Sequence, residues 1–502
     1  MQRLKSLRQN KFNKGYNDKL GPEELPPGFA ADALNCFVDE EKVRERNGYT
    51  IIGNDVGNDD IEGLTNFEQD DGTKFLLMVA GGQIYKWTGL GNWAVAGGAD
   101  TVTADLECNF EQANDNIYLF NGTDTPVKFN GTTCSTVAAI PVGRVARWFH
   151  NYMFVAGVDG NRSRLYFSNL NNPETWGGSD FIDVNVNDGE PITALYPFND
   201  ELIIFKRSRI WALTGFGTAG FAVTDLQERV TAFGCSSARG IVNIGNDLYF
   251  ISYVGQTPHI RSLTRSRFGV TIAGGIVSDP ITGTMDGLST AQLSKTAAIF
   301  DGRYVYFAVP DGSSTNNDLV LVKDTIQKED EGWVRFTGIN AAVWAQSSVE
   351  GEPTIYFGES GANSQVYKMD SSMSDNGTAI LFRWDSPNHQ IDPEIKNKWK
   401  YLWTVGETVG NVNVEVDVSP DGFTFESQGN LNLQGTGSTF PFTFPFQLGA
   451  TSIVNQRFDL AFEPKYNMQV RFTKNDTDAR AIIREYSLLF YQKGLRDTVS
   501  KA

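Results

Sequence analysis

The chain has 502 residues, room for more than one domain and a large core. Its net charge is −17, and six basic residues against Asp18 leave +5 in the first 19 positions and therefore −22 over the rest. So acidic a body repels phosphate backbones, which argues against a protein that grips DNA and does not exclude one that DNA slides past.

Residues 1–55 read as an N-terminal extended leader. Its start is basic, with Arg3, Lys5, Arg8, Lys11 and Lys14, and lacks the apolar spacing of a packed core. Prolines at 22, 26 and 27 interrupt any long element. Two readings fit: a frayed terminus, or an arm that docks on a neighbour through those five basic side chains. No apolar signal-peptide core follows the start, and no stretch is long enough to span a membrane.

Residues 56–372 carry an internal repeat. Asn66-Phe67-Glu68-Gln69 recurs letter for letter at Asn109-Phe110-Glu111-Gln112, each followed by a polar turn, an apolar strand and a second strand. Later copies lose the four letters and keep the hairpin. If Met78, Leu119, Phe154, Phe205, Phe250, Phe307 and Phe357 are equivalent, the spacings are 41, 35, 51, 45, 57 and 50 residues. One propeller blade of four short strands has about this length, ~40–50 residues. Asp71-Gly72, Asn114-Asp115, Asn199-Asp200 and Asp301-Gly302 supply the turn chemistry of tight hairpins. The repeat therefore predicts a six- to seven-bladed β-propeller, and an array of unrelated hairpins is the weaker alternative.

Residues 370–377 read as the linker out of the ring, and 378–492 as a C-terminal β-sandwich with period-two alternation, followed by a tail at 493–502. The fold class is all-β. Within the sandwich, Phe440, Phe442, Phe444 and Phe446 alternate with two prolines and cannot form a central strand. They make either a covered edge or an exposed assembly loop, so these four join the basic leader as candidate docking residues.

No catalytic, cofactor or metal site is expected. The three histidines, His150, His259 and His389, belong to no His-Glu-x-x-His, and neither a nucleophile elbow nor a phosphate loop occurs. Cys36, Cys108, Cys134 and Cys235 show no C-x-x-C spacing. Ser419-Pro-Asp-Gly-Phe-Thr-Phe425 is one residue short of a sialidase-type turn, occurs once, and lies outside the repeats.

Three stretches carry a family likeness: the leader segment 34–49, the run 164–176 with its continuation through 188–195 and 201–215, and Lys396-Asn-Lys-Trp-Lys-Tyr-Leu-Trp403. In that order they resemble the propeller-type tail proteins of short-tailed bacteriophages, the tail nozzle, knob or packaged-DNA-stabilising proteins. The resemblance implies a non-enzymatic virion protein of the tail, assembled in the host cytoplasm. It implies a homohexameric ring below the portal and adaptor, in contact with other tail proteins or fibres. Genomic DNA passes transiently through such a ring, which retains the packaged genome and opens for ejection. The rival readings are a lectin-like or host-receptor-binding propeller, which wants repeated pockets, and a propeller hydrolase, which wants one funnel of converged acidic and basic groups.

Overall fold

The computed structural model describes residues 3–39, 41–57, 60–98, 101–216, 221–255, 257–264, 275–361, 365–409, 411–434, 452–477 and 479–492. Apolar hairpins bounded by Gly, Asn and Asp turns dictate the first level of structure. In the second repeat, Asn114 and Asp115 both take positive φ (48° and 59°), which lets Asn109–Ala113 fold directly back on Asn116–Phe120. Seven antiparallel sheets follow one another along the chain, and their innermost strands are Ile61–Glu68, Asn109–Ala113, Val145–Phe149, Ile192–Phe198, Ile241–Asn243, Ala297–Phe300 and Ala341–Ser347. Each of the seven hairpins read from the sequence forms the second and third strands of one sheet.

The sheets close into a ring because each buries one face against the next. Phe67, Leu77, Leu119 and Phe129 fill the seam between the first two blades. Ile61, Leu64, Val343 and Tyr356 fill the seam between the last and the first. Glycine makes one of these approaches possible: a Cβ on Gly358 would sit 2.4 Å from Ile61 Cγ2. The seventh blade is completed from outside the repeat region, since its outermost strand is Gly48–Ile52, paired with Val366–Ser372. The ring is thus fastened by a leader strand.

The four-letter repeat that exposes the architecture is itself out of structural register. Phe67 lies opposite Phe75, one pair from the hairpin end, whereas Phe110 lies opposite Leu119, three pairs from it. The offset is two residues, which keeps each side chain on the same face of the strand. The glutamines serve the seam between the blades: Gln112 Nε2 donates to the Glu68 carbonyl (2.6 Å) and Gln69 Nε2 to the Asn130 carbonyl (3.2 Å).

The extended leader is built into both domains as short strands. Asp32–Leu34 lies between the outermost strand of blade six, Trp333–Thr337, and the sandwich strand Ile380–Asp385. Cys36–Val38 and Val43–Glu45 form a hairpin on the long sandwich strand Arg480–Gln492, and Lys5–Gln9 pairs with the same strand. Phe12 and Tyr16 are each 1% exposed. The apolar residues show no period because pieces of two to five residues each serve a different sheet.

The sandwich packs Ser452–Asp459, Asn397–Val409 and Arg480–Gln492 over Glu426–Gln434, Asn411–Ser419, Asn467–Asp476 and Ile380–Asp385. Its second sheet runs without interruption into blade six through Asp32–Leu34. Buried charges reinforce that joint. The Arg46 guanidinium donates to both oxygens of Asp375 (2.7 and 2.5 Å), to Asn35 Oδ1 (2.9 Å) and to the Thr337 carbonyl (2.9 Å). Lys474 Nζ donates to Glu45 Oε1 (2.9 Å), with both side chains fully buried. Asp32 accepts from Arg335 on the propeller side and Arg383 on the sandwich side.

Breaking such a pair from one side strands the partner charge. Asp375→Asn is expected to cost about 3 kcal/mol in urea unfolding, and a loss below about 1 kcal/mol would contradict the joint described here. Burial raises the Glu45 carboxyl above its usual range, and Lys474 counters this only in part. A raised folded-state value contributes stability that is complete below the unfolded carboxylate range and is lost as pH rises through the folded value. Lys474→Met removes the countering charge, so its deficit against wild type should be larger at about pH 8 than at about pH 5. Equal deficits at the two values would contradict the assignment.

Candidate functional site

The inner strands of a propeller converge on an axis, and here their leading ends and the adjoining loops form a polar funnel. Two adjoining cavities share Asp105, Leu106 and Glu107, and the larger has a volume of about 660 Å³. All seven blades contribute: Glu62, Glu107, Arg144, Thr193, Ser237, Lys295 and Ser360 are one lining residue from each in turn.

Arg239 closes the funnel beneath. It leaves the loop before the inner strand of blade five and crosses the axis. Its Nη2 donates to the main-chain carbonyls of Glu62 in blade one and of Cys108, just before the inner strand of blade two (2.8 Å to the latter). Its Nε lies 3.6 Å from Glu107 Oε1, and Arg144 reaches the same carboxylate at 2.9 Å. Burial pushes the Glu107 carboxyl up, and the two arginines more than offset that, holding it below the usual range. One level further in, burial raises Glu111, against the opposing charge of Arg147 at 3.2 Å. The charges around Arg239 and Glu107 are therefore paired with one another and with the backbone, and Arg239 and Arg147 also line an inner cavity of about 190 Å³.

The predicted docking residues divide. Arg3, Lys5, Arg8 and Lys11 are exposed. Lys5 Nζ donates to Gln492 Oε1 and Arg8 Nη2 to Glu485 Oε2, so both lie along the edge of one sandwich sheet. Lys14 departs from the expectation: it is half-buried, 3.6 Å from Glu331, with its Nζ over the Phe29 ring at 5.2 Å. It fastens the leader to blade six. Phe440, Phe442, Phe444 and Phe446 lie outside the described residues.

The histidines have structural surroundings. His150 occupies a hairpin turn with φ 46° and stacks on Phe216. His389 is half-buried, its ring is desolvated enough to push its pKa down to about 4, and its Nε2 lies 2.6 Å from the Tyr486 hydroxyl. The four cysteines are buried. Among the described residues, no group of three or more His, Cys, Asp or Glu could hold a metal ion, and no helix is long and apolar enough to cross a membrane. Sequence reading missed the funnel and Arg239. Convergence on an axis leaves no local signal, since the contributors lie up to about 300 residues apart at loop positions.

Residues 37–298 match the model of the Phage_stabilise family, described as bacteriophage P22 Gp10, beta-propeller. The chain belongs to this family. The match begins in the leader hairpin and ends in the first strand of blade six, so more than half of this phage propeller protein lies within it. No curated protein matches the chain. Among solved structures, the WD40 domain of Neurospora crassa Pan2 is 9% identical with a TM-score of 0.39, covering 66% of this chain and 97% of its own. YCF48 from Cyanidioschyzon merolae is 13% identical with a TM-score of 0.39, covering 64% and 98%. Both are too distant to carry an argument.

Arg239→Leu removes the donor to two buried carbonyls and one of the charges facing Glu107. The phage propeller should lose about 2–3 kcal/mol of stability in urea unfolding, and Arg239→Lys, without the planar fork, should recover only part of it. A leucine variant of wild-type stability would show that the crossing does not hold the axis together.

Proposed function

We propose that this protein is a non-enzymatic structural component of a short phage tail. In this reading it forms a ring, as a hexamer, below the portal and adaptor. The ring extends the DNA channel, retains the packaged genome and opens for ejection. Family membership supports the packaged-DNA setting, and one structural observation carries the reading further: Arg239, Glu107 and their partners bridge the propeller's own axis. A duplex cannot thread such an axis, so the channel belongs between subunits, with each propeller acting as a wall segment. Wall segments that carry a net charge of −22 beyond residue 19 let DNA pass without adhering.

Mass photometry and negative-stain imaging of the purified protein test the ring directly, with closed assemblies of about six copies expected. Low-salt titration with duplex DNA tests the channel wall, where weak binding is expected. Tight binding under those conditions would sink the slippery-wall reading, since electrostatic attachment to DNA strengthens as salt falls.

A ligand-binding propeller is the second reading, favoured by the polar funnel to which every blade contributes. Its walls pair acid with base internally, as Arg144 does with Glu107, and this leaves little unspent capacity for a guest. A glycan array tests it: a stable monomer that binds one glycan class would displace the ring reading.

A further inference from the structure

The leader is held in two different ways. From Phe12 onward it is anchored in the core: Phe12 packs edge-on against Trp384 at 5.2 Å, and Tyr16 is buried beside it in the same apolar cluster. Before Phe12 the attachment is superficial. Lys5–Gln9 forms five cross-strand pairs with Tyr486–Phe490, from Lys5 opposite Phe490 to Gln9 opposite Tyr486. Lys5, Ser6 and Arg8 are exposed and Leu7 is half-buried, so Gln9 is the one residue of the strand that is buried. The Arg8–Glu485 pair adds little, because the arginine side chain is 60% exposed to screening solvent.

We propose that Lys5–Gln9 is an exchangeable strand, which in the assembled ring pairs with Tyr486–Phe490 of a neighbouring copy. The inference rests on the ring reading above. The seat already fits its occupant, because the same segment fills it within one chain, and exchange of an identical element between protomers changes none of those contacts. Only Asn10 and Lys11 lie between the strand and the Phe12 anchor. Fully extended from that anchor, the strand and its tether reach about 25 Å, enough to cross a subunit boundary. Charge supplies the direction. Neighbouring bodies that carry −22 beyond residue 19 repel one another, and a segment of the first 19 residues, which carry +5, laid across the seam offsets that repulsion.

Cysteine pairs placed across the strand read out which chain it belongs to. Ser6→Cys with Leu489→Cys joins directly opposed residues, and Arg8→Cys with Ser487→Cys provides a second pair should the first impair folding. The native cysteines are buried, which keeps them from competing under mild oxidation. After oxidation of the assembled ring, non-reducing denaturing gels should show covalent multimers up to the full ring. An intact ring whose cross-links all lie within single chains, or that forms none, overturns strand exchange while leaving the ring reading in place. Wild-type protein that stays monomeric at every concentration tested, by mass photometry and sedimentation, overturns both.

Discussion

Everything in this molecule depends on a short stretch of buried polar chemistry in the leader. Asn35, Glu45 and Arg46 lie between blade six, blade seven and the sandwich, and each meets a partner distant in sequence: Thr337, Lys474 and Asp375. Charges this deeply buried are costly unless fully paired, so they define one arrangement of the two domains rather than simply adding cohesion. The same leader supplies Gly48–Ile52, the strand that fastens the ring of blades. Ring closure and domain docking therefore share one segment, and neither domain is complete without residues 29–52.

That arrangement constrains how such a protein can work in a tail. A sheet running from blade six through Asp32–Leu34 into the sandwich leaves no flexible joint between them. Asp32 holds an arginine from each side, and Asp385 with Arg471 continues the charge network into the sandwich. In the ring proposed above, subunits built this way would move as rigid bodies and the ring would open at the seams between them. The axis bridged by Arg239 fits the same proposal, in which each propeller is a block of the wall.

Much of the fold is legible in the sequence because hairpins are local. The seven apolar pairs and their turn residues follow from alternation and from Asn, Asp and Gly at positions that tolerate positive φ. The literal repeat led to the right architecture although its letters sit two residues out of register, because an offset of two preserves the face. The leader resisted the same reading. Phe12, Tyr16, Phe37 and Val43 are as buried as any blade residue, yet each belongs to a separate short piece with no period to detect. Lys14 looks like any basic residue of an arm until Glu331 and Phe29 are found beside it.

The sequence by itself determined that this is an acidic, repetitive, all-β chain of propeller blades followed by a sandwich, because composition and short-range alternation are properties of neighbouring residues. Tertiary structure alone decided that the leader is the fastener of both domains, that Arg239 crosses the axis, and that Lys5–Gln9 rests lightly on a sheet edge while Phe12 beside it is anchored. Those features arise from residues brought together across hundreds of positions, and no local pattern encodes a partner that is distant in the chain.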